Sequence, residues 1–190
     1  MKVWKTAFLL FFIPVLGLAS DLKGNWVLDK SEIDYKVTHP LHHVIGKSTG
    51  ARGKGICSRS ECRFIVAVPV KSFDSGDSNR DLHMLQITKG ADDPLIVVNV
   101  GFPPPSGKTI PGEISADLEI QFAGQKVNYS KVKLGMVSLE PGQVRVTAVI
   151  TLSLKAFDIT PPSLLGVPIE DSVPIQLDMT WKKVGTSAVN

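Results

Sequence analysis

Apolar and polar residues alternate along residues 144–154, VRVTAVITLSL. Every even-numbered position of this segment is apolar, and the odd-numbered positions carry Arg, Thr or Ser except at Val149. Side chains of a β-strand point to opposite faces with a period of two, so the pattern predicts a strand with one dry face and one wet face. What this protein does depends on what that dry face contacts.

The same alternation recurs along most of the chain. It predicts further strands at residues 26–28, 33–37, 64–70, 95–100, 114–122, 127–134 and 173–181. A turn at 29–31 is predicted to separate the first two of these strands. The apolar row changes phase after Tyr129, which is the effect of one extra residue, and this predicts a β-bulge near Ser130 or Lys131.

Two segments depart from the alternation. A short helix is predicted to start after a cap at Asp77 or Ser78 and to end at Leu85. Leu82 and Leu85 are predicted to face inward, with Met84 as a further candidate. Residues 46–55 contain four glycines, which is typical of bends, bulges or a close backbone approach at a barrel corner. About eight strands with one short helix indicate an antiparallel all-β fold, for which periodicity leaves both a sandwich and a barrel open.

Residues 1–19 have the pattern of a signal peptide. Two lysines precede an apolar run at 7–16, which is too short to span a bilayer, and a small-x-small cleavage site follows at 17–19. We expect this leader to be removed and residues 20–190 to form one domain, periplasmic or secreted. A domain of that size can hold a sizeable core or one ligand-sized cavity.

The charges of the chain are nearly balanced. Lys and Arg together number 21 against 18 Asp and Glu, and two of the lysines lie in the predicted leader. The charged residues form no run of one sign, so no nucleic-acid partner is predicted.

Cys57 and Cys62 are the two cysteines of the chain. Export makes a disulfide between them the first interpretation. Closing so short a loop stabilises by roughly 2 kcal/mol in the chain-entropy model, and it would pin a hairpin between residues 53–56 and 63–66. A redox pair is the alternative, but the spacing is not Cys-x-x-Cys.

Several motifs together resemble those of the YceI-like family. Residues 72–76 (SFDSG) followed by 80–84 (RDLHM) are similar to its central motif, a strand ending in Ser-aliphatic-x-Thr/Ser and then a helix with Arg-Asp-x-His. Four further matches follow the family's order: His39 after the strand at 33–37, Pro94 before the next strand, residues 117–127, and residues 154–159 with 171–173. The resemblance covers nearly all of residues 20–190.

This resemblance implies a lipocalin-like antiparallel β-barrel of about eight strands with one short helix. Members of the family are typically exported, and some enclose a long isoprenoid chain, such as a polyisoprenoid or an isoprenoid quinone, in an apolar tunnel. The partner expected here is therefore a long-chain isoprenoid or a similar apolar lipid, held for sequestration or transport. No cofactor, metal or enzymatic activity is expected.

Placing the apolar rows on the inside of a barrel identifies candidate ligand-binding residues. The predicted lining consists of Phe64, Val66, Leu118, Ile120, Phe122, Ala148, Ile150, Leu152, Leu177 and Met179. Burying a polar head group against these side chains without a partner costs several kcal/mol. The head group is therefore expected at the barrel mouth, near Arg80, Asp81 and His83 or near the histidines that follow the strand at 33–37.

Three alternatives stay open at the level of sequence. The barrel interior could be filled, with surface loops that bind a protein partner. A metal site is the second alternative, because His39, His42 and His43 lie within five residues and imidazole is a common metal ligand. No Cys, Asp or Glu completes a ligand spacing, however. An enzyme is the third alternative, but Arg80 and Asp81 lack an accompanying catalytic motif. They are therefore predicted to tie the helix to neighbouring loops by charge-assisted hydrogen bonds.

Overall fold

The computed structural model describes residues 21–40, 42–106, 109–164 and 166–185, and the predicted signal peptide at 1–19 lies outside these ranges. The described chain forms the following strands and one α-helix: β1 Gly24–His39, β2 His42–Ser48, β3 Arg52–Cys57, β4 Cys62–Pro69, α1 Ser78–Ile87, β5 Leu95–Phe102, β6 Glu113–Phe122, β7 Gln125–Glu140, β8 Gln143–Ser153, β9 Ser163–Leu164, β10 Val167–Pro168 and β11 Ser172–Val184.

The long strands close into an eight-stranded antiparallel barrel. Strands β3 to β8 pair in chain order, β11 pairs with β8, and β1 pairs with β11 to complete the circle. Strands β2 and β3 share one position, because β3 pairs with the first part of β1 and β2 with its last part. The predicted all-β antiparallel barrel is confirmed, and its closure decides between the sandwich and the barrel that periodicity left open.

The two ends of the barrel differ. Helix α1 follows β4 at the end where β1 reaches His39, and we call this the helix end. The hairpin between β3 and β4 turns at the opposite end, where the Cys57–Cys62 disulfide joins the two strands in direct register. We call this the disulfide end. Both cysteines are buried, and the predicted disulfide is confirmed.

The predicted turn at 29–31 is wrong. Strand β1 runs without reversal from Gly24 to His39 and pairs with β11 on both sides of this point. Leu28 and Lys30 face consecutive residues of β11, so Asp29 is one extra residue in a β-bulge. The Asp29 carboxylate lies 3.0 Å from Lys182 Nζ. A turn-like sequence is thus held extended by the continuous pairing with β11.

The predicted bulge in β7 is confirmed. Ala116 pairs with Val132 while Leu118 pairs with Tyr129, so two residues of β7 oppose Asp117 alone. Lys131 adopts a positive φ of 58°, and its backbone N–H donates to Asp117 Oδ1 at 3.0 Å. This contact explains the phase change of the apolar row in β7.

Helix α1 covers the helix end through one face only. The Asp77 carboxylate caps it by accepting hydrogen bonds from the backbone N–H groups of Asn79 and Arg80, at 3.0 and 3.1 Å. Met84 packs against the core, whereas Leu82 is 56% exposed. The prediction that Leu82 faces inward is therefore wrong, because it lies off the helical face that Met84 occupies.

Candidate functional site

The barrel interior contains a cavity of about 160 Å³, which we call the inner cavity. All of its lining residues are apolar, and they come from every strand of the barrel except β2 and β3. Eight of the ten residues predicted from the sequence line this cavity: Phe64, Val66, Leu118, Ile120, Ile150, Leu152, Leu177 and Met179. The dry faces of the strands thus line this cavity, and none of the described side chains that line it is polar.

Strand β8 shows how the cavity affects its neighbours. On its inward face Val144 is fully buried, whereas Val146, Ile150 and Leu152 keep partial solvent accessibility although they line the cavity. On the outward face Val149 is 67% exposed. Partial accessibility on an inward face indicates unfilled space, because a closely packed interior would cover these side chains completely.

A second cavity of about 330 Å³ lies at the helix end, and we call it the outer cavity. Helix α1 lines it through Arg80, His83, Met84 and Ile87, and the residues before and after the β9–β10 hairpin line it as well. Four residues line both cavities and form the boundary between them: Phe73, Ile96, Leu152 and Ile175. The two cavities are therefore neighbours along the barrel axis.

Two of the predicted lining residues lie elsewhere. Phe122 lines the outer cavity, where its ring lies 5.6 Å from that of Phe157. Ala148 packs against the core but lines neither cavity. The short Ala side chain does not reach as far toward the barrel axis as the Ile and Leu side chains beside it.

The outer cavity differs from the inner one by its polar groups. Its polar lining residues are Tyr35, His39, Arg80, His83, Thr88 and Ser163. Arg80 contributes the single guanidinium among them, and no carboxylate is present in this set. A ligand that spans both cavities would therefore meet polar groups at the helix end and hydrocarbon alone in the inner cavity.

Arg80 and Asp81 hold the loop before the helix. Arg80 donates to the backbone carbonyl of Ser75 at 2.9 Å and to its hydroxyl at 3.3 Å. Asp81 Oδ1 accepts from the Ser75 backbone N–H at 3.1 Å. These are the charge-assisted bonds predicted from the sequence, and Asp81 does not line the outer cavity.

Tyr35 presents a hydroxyl group at the same end. Burial raises the pKa of this phenol, the nearby Asp81 carboxylate raises it further, and Arg80 opposes the change. The Tyr35 ring packs against Phe73 with centroids 5.5 Å apart. The phenol is therefore protonated at neutral pH and is a hydrogen-bond donor at the edge of the outer cavity.

The histidines do not assemble into one cluster among the residues that the structure describes. His39 is buried and lines the outer cavity, His83 lines it from α1, and His43 is exposed. The side chain of His42 lies outside the described residues. Within the described ranges, no group of three or more His, Cys, Asp or Glu side chains is arranged to hold a metal ion. None of the helices found there has the length and apolar character needed to cross a membrane.

The glycines of β2 and β3 make room for aromatic rings. Gly46, Gly53 and Gly55 lie in regular strands, and a Cβ atom at any of them would collide with an aromatic ring. The rings that cover them are those of Tyr35, Trp181 and Phe64, respectively. The close approach predicted for these glycines is therefore made by aromatic rings, which lie against the glycine backbone. The spacing of the glycines on one face of a strand is the sequence feature that indicates it.

Comparisons with known proteins identify the fold. No family model matches the chain, and no curated protein matches it. Among solved structures, a polyisoprenoid binding domain from Saccharophagus degradans is 13% identical with a TM-score of 0.70, over 84% of this chain and 98% of that one. Burkholderia cenocepacia BcnA is 12% identical with a TM-score of 0.67, over 79% and 95%. The Campylobacter jejuni YceI protein is 11% identical with a TM-score of 0.54, over 97% and 100%. This chain therefore has the YceI-like fold.

Proposed function

We propose that this protein is exported and binds a long apolar lipid of the isoprenoid type inside its barrel, for sequestration or transport and not for catalysis. The observation that carries the proposal is the inner cavity, whose lining is entirely apolar. Burial of hydrocarbon contributes about 25 cal/mol per Å² of apolar surface, so a long chain binds tightly there without directional contacts.

The sizes of the cavities support a ligand longer than a single ring. Engineered apolar cavities of about 150 Å³ stay dry and bind molecules the size of benzene. The inner cavity is of this size at about 160 Å³, and the outer cavity adds a neighbouring space of about 330 Å³. An extended chain with its tail in the inner cavity would place its polar head near Tyr35, Arg80 and His83.

The Saccharophagus degradans domain supports the choice of ligand class, since it is described as polyisoprenoid binding. A barrel that serves only as a protein-interaction module would be expected to have large side chains meeting on its axis. The inner cavity speaks against that alternative. An enzyme would need a nucleophile or an acid–base pair facing the substrate, and the apolar lining of the inner cavity offers neither.

Organic extraction of the purified mature protein, followed by mass spectrometry, tests the ligand. We expect a prenyl lipid in stoichiometric amount, and protein stripped of lipid should take up added polyprenol or isoprenoid quinone. A clean extract together with no uptake of either compound would refute the proposal.

Export is tested separately by fractionation of the producing cells and N-terminal sequencing. The proposal expects a chain that begins at Ser20 in the periplasm or the medium. Recovery of a chain that retains residues 1–19 from the cytosol would contradict it.

A further inference from the structure

Four aromatic side chains line the inner cavity at the disulfide end. Trp26, Phe64, Phe102 and Trp181 all line the cavity, and we call them the aromatic floor. The Phe64 ring stacks on Phe102 with centroids 5.8 Å apart and meets the edge of Trp181 at 5.1 Å. Three of the four side chains are buried, and Phe64 keeps partial accessibility.

The chain before β1 covers the floor from outside. Trp26 Nε1 donates to the backbone carbonyl of Leu22 at 2.7 Å, and Leu22 itself lines the cavity. Lys183 Nζ lies over the Trp26 ring at 5.9 Å and donates to Asp21 Oδ1 at 3.0 Å. These contacts fix the Trp26 indole, so the indole and the chain before β1 cover this end of the cavity.

The glycines of β3 determine where two of the floor rings lie. A Cβ atom on Gly53 would approach the Trp181 ring to 2.7 Å, and one on Gly55 would overlap the Phe64 ring. Both rings therefore rest directly on the backbone of β3, and the strand gives them a rigid support. Neither Phe64 nor Trp181 can move closer to β3 unless the strand itself shifts.

The binding space has polar groups at the helix end and aromatic rings at the disulfide end. A lipid tail that enters from the helix end must stop at the aromatic floor. We propose that the aromatic floor sets the maximum length of the chain that this protein accommodates, with Phe64 and Trp181 as the residues that determine specificity. The inference rests on the proposed function for the chemistry of the ligand, but its test does not depend on an isoprenoid.

The test measures displacement of the fluorescent apolar probe N-phenylnaphthylamine from the lipid-free protein. Two series of competitors are used, linear polyprenols and straight-chain primary alkanols, each in increasing length. Phe64→Leu and Trp181→Leu enlarge the inner cavity at the aromatic floor. Val100→Phe narrows it, because Val100 lines the cavity and pairs with Phe64. Val149→Leu, on the exposed face of β8, is the control.

In the wild-type protein, affinity should rise with chain length up to a limit and then stop rising. Each buried methylene contributes about a fourfold gain in affinity. A chain two methylenes beyond the wild-type limit should therefore bind roughly fifteenfold more tightly to the enlarged variants than to the wild type. Val100→Phe should move the limit to shorter chains, and Val149→Leu should leave it unchanged.

The inference is overturned if the limit stays the same in Val100→Phe and in whichever enlarged variant folds, as judged by circular dichroism. Because some variants enlarge the cavity and Val100→Phe narrows it, the test still gives an answer if one enlarged variant does not fold. If the limit for alkanols moves while polyprenols do not bind at all, the aromatic floor sets the chain length but the isoprenoid function is refuted. If polyprenols bind but the limit does not move in any variant, the isoprenoid function is supported and the role of the aromatic floor is refuted.

Discussion

The ring of Trp181 on β11 rests on the backbone of Gly53 on β3, with β1 between their strands, so that a Cβ atom on Gly53 would lie 2.7 Å from the ring. The same Cβ atom would lie 3.1 Å from the carbonyl oxygen of Ile65 and 3.2 Å from Leu28. A methyl group therefore has no free direction at this position. Gly53→Ala is expected to lower the free energy of unfolding by about 1–3 kcal/mol through overpacking, as measured by urea denaturation.

Gly101→Ala is the matched control. Gly101 is also a strand glycine, but a Cβ atom there meets nothing within 4 Å. Replacing this glycine reduces the entropy of the unfolded chain, so the variant should be neutral or more stable by about 0.4–1 kcal/mol. Equal losses in both variants would show that the Trp181 contact is not the cause.

Leu152 lies at the boundary between the two cavities, so a larger side chain there should separate them without changing the protein surface. It is one of the four residues that line both cavities. Leu152→Trp should fill the boundary and weaken binding of a long prenyl lipid roughly tenfold or more, because the tail can no longer bury its surface in the inner cavity. Probe displacement or lipid extraction from the purified variant measures the loss.

Val149→Trp places the same side chain on the other face of β8, where Val149 is 67% exposed. This variant should bind lipid as the wild type does. If both variants bind equally well, the boundary is not on the path of the ligand, and the proposed occupancy of the inner cavity is wrong.

Strand β8 and the bulge in β7 were predictable because their causes are local. The period of two in residues 144–154 corresponds to β8, and the phase change at Ser130 and Lys131 corresponds to the bulge opposite Asp117. The turn at 29–31 failed because pairing with β11, more than a hundred residues away in the chain, overrides a local turn preference. Local preference is a weak guide where a long partner strand is available.

The hollow interior was not predictable from residue types. The apolar rows fit a filled core equally well, because free volume depends on which side chains meet across strands that are distant in sequence. Phe122 and Ile120 have the same alternation but line different cavities. The spacing of Gly53 and Gly55 predicts a close approach to β3, but the rings that make it, Phe64 and Trp181, belong to other strands.

The Cys57–Cys62 disulfide links β3 to β4 next to the aromatic floor, where Cys62 pairs with Phe102 of β5. Replacing both cysteines with alanine removes the constraint on the unfolded chain, and the loss for so short a loop is about 2 kcal/mol. Urea denaturation of the double variant should show this loss. Dithiothreitol should destabilise the wild type by a similar amount and leave the double variant unchanged, and a further loss in the double variant would contradict the assignment.

Asp171 couples the end of β8 to the start of β11, and its effect should depend on pH. Its carboxylate accepts hydrogen bonds from Ser153 Oγ at 2.6 Å and from the backbone N–H of Lys155 at 2.9 Å, and these bonds lower the pKa of Asp171. A pKa that is lower in the folded state stabilises the fold above the unfolded value of about 3.9 and loses this effect as pH falls through the folded value. Asp171→Asn should therefore be less stable than the wild type at neutral pH, and the gap should close only below pH of about 4. Thermal unfolding of both proteins across this range measures the gap, and a gap that stays constant with pH would show that the charge of Asp171 contributes nothing to stability.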